Sequence, residues 1–470
     1  MIGASSIGEF GHVWRDERGA RIFERVLATG SLVLKKIGGD RAGEVACNRF
    51  LKAPEVTWEE IADTTCEGTA QRCAGRRIVV PQDTTDINLR GRDAGRIGFG
   101  PGSDGVGRGF FIHPSIAVDA DDEAVLGVLD LKIWTRPEDG GAACKKRRSR
   151  TIEEKESIRW LEAAEAVADR VRNAAQIIMV GDRESDIYPL FARRPAGIDL
   201  IVRASQNRAV AGDGTLFEEM AGWPILATYE LKVPPRGPRD PGRSACVAVR
   251  AGLVEIKRPR TSADRDDPPS LQLNAVEVVE LDPPAGVEPI HWRLLSTLPV
   301  PDADAAKEIV RLYRLRWRIE QTFRALKNDG YRLPDVQIQQ ADRFFKLTAI
   351  AVAAAVRTIQ LVDARDGSDR PASDVASPQV IQAAVQIGPT LERKTKRQKN
   401  PHPPQSLAWL AWIIARLGGW NCYYKKPGPK TMRAGWTRLA AMAAGYHIAH
   451  STNSPIEDAL SDLDWQLEFA

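Results

Sequence analysis

Asp83 and Asp182 each follow closely on a short apolar run, Ile78-Val79-Val80 and Ile177-Ile178-Met179-Val180. Each run reads as a buried strand, so each carboxylate falls at the rim of a sheet, where ligands of α/β sheets bind. A third acid, Glu320, belongs to a helical stretch. At about 100° per residue, Tyr313, Arg316, Glu320 and Lys327 fall within an arc of about 60°. Leu312, Leu315, Ile319, Phe323 and Leu326 form a separate apolar stripe, and Arg314, Arg318 and Gln321 face the remaining, solvated side. An ordinary amphipathic helix accounts for the stripe. It does not by itself ask for a tyrosine, an arginine, a carboxylate and a lysine in a row. Hard divalent cations prefer carboxylate oxygens. Three carboxylates can hold two ions roughly 4 Å apart, one activating an attacking oxygen and one stabilising the leaving oxygen of a phosphoryl transfer. An arginine and a lysine on the same face would clamp a nucleic-acid backbone beside them. Taken singly, an aspartate at a strand end more often closes a turn or caps a helix; the set of three carries the chemistry.

Such a set needs an α/β core to position it. Strands are expected at Ile78–Val80, Phe110–Val118, Ala124–Trp134, Ile177–Val180 and Ile198–Val202, with a helix over roughly Ile152–Arg172. Between about 204 and 302 lie strand-like pieces separated by Pro- and Gly-rich links such as Pro234-Pro235-Arg236-Gly237-Pro238, which reads as a mostly β insertion. Ala305–Lys327 reads as one strong helix. In front, residues 1–70 look helical: Arg21–Lys36 up to the break at Gly38-Gly39, then Ala42–Leu51, then a helix after the capping box of Thr57 and Glu60. From about 340 the chain is mainly helical, with a polar, Pro-containing stretch at 364–404 that is partly loop. The expected division is a helical domain over 1–72, an α/β catalytic domain over 73–335 and a helical domain over 336–470.

The 66 basic and 62 acidic residues nearly cancel, so any polyanion must be met by local clusters. Two basic runs qualify, Lys145–Arg150 and Arg393–Lys399, although either would serve equally as a solvated loop. The six cysteines (47, 66, 73, 144, 246 and 422) show no CxxC pair and no histidine at ligand spacing, which argues against a zinc site or a disulfide framework. The N-terminus lacks the basic and apolar regions of a secretion signal. Leu347–Val356 is too short an apolar run to span a bilayer and reads as a buried helix. A soluble, cytoplasmic protein without membrane contact is expected.

Tyr313-x2-Arg316-x3-Glu320-x6-Lys327 is similar to the Y-R-E-K signature of DDE transposases of bacterial insertion sequences, the subgroup containing the transposase of the kanamycin-resistance composite transposon. Further blocks resemble that family in order: Val80–Thr85, Gly107–His113, Trp134–Pro137, Glu154–Ser157, Gly181–Ile187 and, near the C-terminus, Ala415–Trp420. The resemblance implies an RNase H-like catalytic core interrupted by the β insertion, with helical domains on either side. It implies that Asp83, Asp182 and Glu320 hold two Mg2+ ions, with Mn2+ as a substitute. The implied activity is cut-and-paste transposition: a nick at the transposon end, attack of the freed 3′-hydroxyl on the opposite strand to form a hairpin, reopening, and joining to target DNA. Forming a hairpin requires a base to leave the stack, and an aromatic surface receives it. Trp292 matches the family's position for that residue, and Trp317 is a second candidate. Tyr313, Arg316 and Lys327 would hold the adjoining phosphate, and Arg203 a further one. The implied partners are the inverted-repeat ends, target DNA and a second copy of the chain, in a bacterial cytoplasm at the nucleoid. The resemblance is weaker over the first 70 residues and poor over the last 25. Rivals are a catalytically silent DNA-binding relative, a junction resolvase, and, more distantly, a carbohydrate hydrolase using paired carboxylates.

Overall fold

The computed structural model describes residues 6–89, 96–103, 107–138, 150–233, 242–328, 330–368 and 370–451. Four helices come first: α1 (Val13–Thr29), α2 (Leu34–Gly38), α3 (Arg41–Lys52) and α4 (Trp58–Cys73). Then β1 (Arg77–Pro81), β2 (Thr85–Asn88), β3 (Gly100–Pro101), β4 (Arg108–Asp119) and β5 (Val125–Trp134) lead to α5 (Arg159–Arg170), β6 (Gln176–Gly181), α6 (Tyr188–Ala192) and β7 (Ile198–Arg203). After α7 (Leu216–Gly222) come β8 (Ala227–Val233), β9 (Arg243–Lys257), β10 (Ser270–Glu280) and β11 (His291–Ser296). The chain continues with α8 (Ala303–Arg314), α9 (Trp317–Lys327), α10 (Ala341–Ala364), α11 (Pro378–Leu391), α12 (Leu407–Leu417) and α13 (Pro429–Ser451).

The strands form one mixed sheet in the order β2-β4-β1-β6-β7-β11-β10-β9-β8, with β3 and β5 also paired to β4. At its centre β1, β6 and β7 run parallel. These strands are covered on both faces, which is why they are continuous apolar runs rather than alternating ones. Ile78, Val80 and Met179 pack with Trp160, Leu161 and Val167 of α5 on one face. Val79, Ile178 and Val180 join Leu312, Ile319 and the apolar side chains of α10 on the other. The insertion expected at 204–302 is mostly strand, but it makes no separate sheet. β11 pairs antiparallel with β7 through Leu294 and Arg203, so β8–β11 prolong the central sheet.

Several boundaries differ from the sequence reading. The expected helix at Arg21–Lys36 is two: α1 begins at Val13 and ends where Gly30 takes φ 58°, donating its N–H to the Val26 carbonyl, and α2 follows. The Thr57 cap is present, its hydroxyl accepting the Glu60 N–H at 3.1 Å. The helix expected from Ile152 starts at Arg159, after a single 3₁₀ turn at Glu156–Ile158. Ala305–Lys327 is not one helix. It breaks at Leu315-Arg316, where the hydrogen bonds shorten to the three-residue type: Leu315 N to Leu312 O, Arg316 N to Tyr313 O and Ile319 N to Arg316 O. Helix α11 falls inside the stretch expected to be partly loop. Helix α10 is long and apolar enough to cross a membrane, yet 78% of its most apolar stretch is buried inside the protein, in line with a core helix. The Pro234–Pro238 link, Cys144, Lys145–Ser149 of the first basic run, and residues 452–470 lie outside the described residues.

Candidate active site

The parallel register of β1 and β6 pairs Val80 with Met179 and Pro81 with Val180, and the Gln82 N–H goes to the Val180 carbonyl at 3.1 Å. Asp83 and Asp182 are therefore side by side where these two strands end. Local hydrogen bonds fix each one: the Thr84 N–H donates to Asp83 Oδ1 at 2.8 Å, and the Glu184 N–H donates to Asp182 Oδ1 at 2.9 Å. Gly181 lets the 183–185 turn fold back closely, since a Cβ there would strike the Ser185 side chain. Burial, and next the charge of Asp182, push the Asp83 carboxyl up to about 7 against the opposing pull of Arg316.

Arg316 joins the third acid to this pair. Its Nη1 lies 3.3 Å from Asp83 Oδ2, and its Nη2 bonds Glu320 Oε1. Arg316 stands at the head of α9, one turn before Glu320. Tyr313, left on α8, is buried and meets Trp292 edge-on at 5.6 Å. Despite the break, Tyr313 stays beside Arg316, which hydrogen-bonds its hydroxyl, and burial pushes the Tyr313 pKa up. Lys327 pairs with Asp86 at 2.9 Å. Arg318, expected on the solvated side, is instead held by Asp363 of α10 at 2.8 Å and by the Glu123 carbonyl. Arg314 is exposed as expected, and Gln321 is half-buried at the edge of a cleft.

That cleft, about 1530 Å³, lies between β11, β8 and the α8–α9 junction. Arg203, Trp292, Tyr313, Arg316 and Trp317 all line it, and Lys327 does not. Arg203 stands opposite Leu294 in the β7–β11 ladder and donates to the His291 carbonyl at 3.2 Å. Eight arginines and one lysine line the cleft against two glutamates. Arg243, Arg293, Arg311, Arg316 and Arg318 among them are also paired with carboxylates. The cleft is a trough rich in donors that a phosphate backbone could take up. The three carboxylates are not on its wall; Arg316 reaches from the wall to Asp83 and Glu320.

Among the described residues no group of three or more His, Cys, Asp or Glu is gathered closely enough to hold a metal ion as it stands. The donor set nevertheless fits a hard divalent cation. Two carboxylates crowd one partly buried spot, one of them pushed up to about 7 by burial and then by its neighbour's charge, and the Arg316 guanidinium lies between Asp83 and Glu320.

A supporting network escaped the sequence reading. His113 is fully buried between Thr84 Oγ1 (2.9 Å) and Gln82 Oε1 (3.1 Å), with Trp160 edge-on against its ring. Burial, then the nearby Arg159 and Lys132, hold its pKa well below the usual histidine range, so it is a neutral positioning group. Arg159 donates to Thr84 Oγ1 at 2.7 Å and to Glu184 Oε2 at 2.9 Å, tying together the two loops that carry Asp83 and Asp182. The only signal for this network was that Val80–Thr85, Gly107–His113 and Gly181–Ile187 are blocks of the resemblance.

Residues 156–357, a segment that contains Asp182 and Glu320 and begins after Asp83, match the family model for the transposase DDE domain. The match covers less than half of the chain, and it supports a DDE transposase family for this protein.

Proposed function

We propose that this chain is a cut-and-paste DNA transposase with an RNase H-like core, of the Y-R-E-K subgroup that its sequence resembles. Asp83, Asp182 and Glu320 would hold Mg2+, or Mn2+ in its place. Bound there, two such ions supply the charge that activates an attacking oxygen and steadies a leaving one. The observation that carries the reading is the junction itself: two acids at adjacent parallel strand ends, one of them joined to a third acid by Arg316, which also lines the arginine-rich cleft.

The chain's own residues then have definite tasks. The trough holds the backbone of a DNA end, and its walls exclude water from one side of the scissile phosphate. Arg316 exchanges its carboxylate partners for a phosphate, as a planar guanidinium with several donors can do. Trp292, half-buried against Tyr313, offers a ring face to a base that has left the stack, with Trp317 across the same cleft. Arg203 contacts the backbone beside it, and Lys327, now on Asp86, adds a further cation at the α9 end. In the proposed sequence water nicks one strand, the 3′-hydroxyl forms a hairpin with the other, the hairpin reopens, and the same hydroxyl joins target DNA. Positioning and charge do most of this work. The protein acts as a dimer on paired ends, in the bacterial cytoplasm.

Labelled DNA carrying the element's own ends, incubated with Mg2+ or Mn2+, tests the reading. Metal-dependent nicks followed by hairpin ends, both lost in Asp83→Ala and Glu320→Ala, are expected. Tight end binding without cleavage by wild type would instead make the protein a silent relative, and cutting of branched DNA regardless of sequence would make it a resolvase.

A further inference from the structure

The basic run Arg393–Lys399 takes no part in the site above. It forms an ordered loop between α11 and α12, held by Gln398 N to Thr395 O (2.9 Å) and Arg393 N to Gln398 O (3.2 Å). A second loop, 420–428, lies against it. The Thr395 and Tyr423 hydroxyls meet at 2.8 Å, and Arg416 of α12 ties both loops down through the carbonyls of Leu391 (3.1 Å) and Trp420 (2.6 Å). Trp420 Nε1 in turn donates to the carbonyls of Tyr424 and Lys425. The result is a fixed surface assembled from two segments of sequence. Arg393, Lys394, Lys396, Arg397 and Lys399 are all exposed on the first, and Lys425 and Lys426 on the second, with Tyr424 standing 79% exposed beside them. Among the described residues, Lys426 alone of these seven cations has a carboxylate partner, Asp366 at 2.7 Å.

Gathering like charges on preordered loops is unfavourable without an anion to meet them, and the acid at the start of the first loop, Glu392, is taken up by the Asn400 N–H at 3.0 Å. Seven exposed cations on two adjoining loops make the electrostatic footprint of a surface that follows a nucleic-acid backbone. We infer that this two-loop surface is a second, sequence-independent DNA-binding site, which engages phosphates of DNA other than the segment in the trough. The inference rests on the transposase reading for the nature of the polyanion. No base edge need be read there, because side chains on surface loops reach phosphates without entering a groove.

The test uses the full-length protein, a fluorescent duplex of arbitrary sequence, and a series of KCl concentrations. It compares wild type with a variant carrying Lys394→Gln, Lys396→Gln, Arg397→Gln and Lys399→Gln, and with Tyr424→Ala. Each phosphate contact contributes about 0.9 to the slope of log K against log salt, so losing two to four contacts should flatten the slope by about 2–4. Affinity at low salt should fall at least about tenfold. Metal-dependent nicking of end-bearing DNA at saturating protein, and the thermal midpoint, should stay as in wild type. A slope and affinity unchanged in the quadruple variant would overturn the inference and leave the end-cleavage reading standing. Loss of binding to anionic lipid vesicles, with duplex binding untouched, would overturn it in favour of a membrane. Failure of wild type to cut its ends, with the salt slope still flattened by the four substitutions, would overturn the transposase reading and leave the surface.

Discussion

Asp83→Asn should make the metal-free protein more stable, although it removes a residue proposed to be essential. Raising a carboxyl from 3.8 to about 7 makes its ionisation in the folded protein cost up to about 4 kcal/mol more than in the unfolded chain, at about 1.4 kcal/mol per pH unit. The sign follows from which state holds the proton. Between about pH 4 and 7 the folded protein keeps Asp83 protonated while the unfolded chain has released it. Stability from this group is therefore full below about pH 4, falls as pH rises to about 7, and is level above that. Asparagine stays neutral throughout and escapes the loss. The side chain keeps 16% exposure, and the water it still touches reduces the gain to about 2–4 kcal/mol. With an unfolding entropy of about 2.1 cal/mol/K per residue, a chain of 470 residues that melts as one unit gains about 1 °C per kcal/mol. The variant's midpoint, followed by tryptophan fluorescence in a chelator, should thus lie about 2–4 °C above wild type at pH 8.5. The gap should be smaller at pH 5 and stop growing above about pH 7.5. Adding Mg2+ should raise the wild-type midpoint more than the variant's. A variant that melts at or below wild type at pH 8.5, or a gap independent of pH, would refute the crowding of Asp83 and Asp182.

Trp292→Ala should spare the first nick and slow hairpin formation by about 5–150-fold, since stacking a base on an aromatic ring is worth roughly 1–3 kcal/mol. Trp292→Phe should recover most of this, and equal loss at both steps in a gel assay would remove the stacking role. Asp186 is wholly buried and receives Arg208 together with the N–H groups of Ser205 and Gln206. Asp186→Ala strands the buried arginine and should cost about 3–5 kcal/mol in urea unfolding, partly restored by adding Arg208→Met. A Cβ on Gly435 would run into the Ile414 carbonyl oxygen, so Gly435→Ala should force α12 and α13 apart and cost about 1–3 kcal/mol by the same assay. No change there would mean that these helices do not meet at Gly435.

The strand ends were legible in the sequence because β1 and β6 are buried on both faces and so keep unbroken apolar runs next to their acids. The Thr57 cap and the buried stripe of Leu312, Ile319 and Leu326 were legible for equally local reasons. The break at Leu315-Arg316 was not. Nothing in Tyr-Arg-Leu-Arg-Trp is a helix breaker, and the turn is instead accompanied by contacts from elsewhere, Trp292 on one side and Asp83 on the other. Arg318 could not be assigned from periodicity either, because its partner Asp363 lies on another helix. The cations of the cleft come from strands and helices far apart in the chain, and they adjoin only once the sheet from β6 to β8 and the α8–α9 pair are assembled. Composition, with acids and bases nearly equal, conceals such a surface.

Arg316 gives the site a coupling that the three carboxylates alone would lack. Its guanidinium satisfies Asp83 and Glu320, so a divalent cation must displace it to gather those acids. The same guanidinium lines the trough, where a phosphate would compete for it. Each hydrogen bond that Arg316 gives to a phosphate is one withdrawn from the carboxylates, which raises their demand for a replacement cation. DNA and metal should therefore bind with positive coupling, and by linkage each should tighten the other equally, by about 5–150-fold for a coupling of 1–3 kcal/mol. Mn2+ titration followed by electron paramagnetic resonance, with and without a duplex end that cannot be cut, measures this directly. Arg316→Ala should tighten Mn2+ in the free protein and abolish the effect of DNA on it. If Mn2+ affinity responds to DNA as strongly in the variant as in wild type, the coupling runs through some other group, and the bridge from Asp83 to Glu320 only fills space.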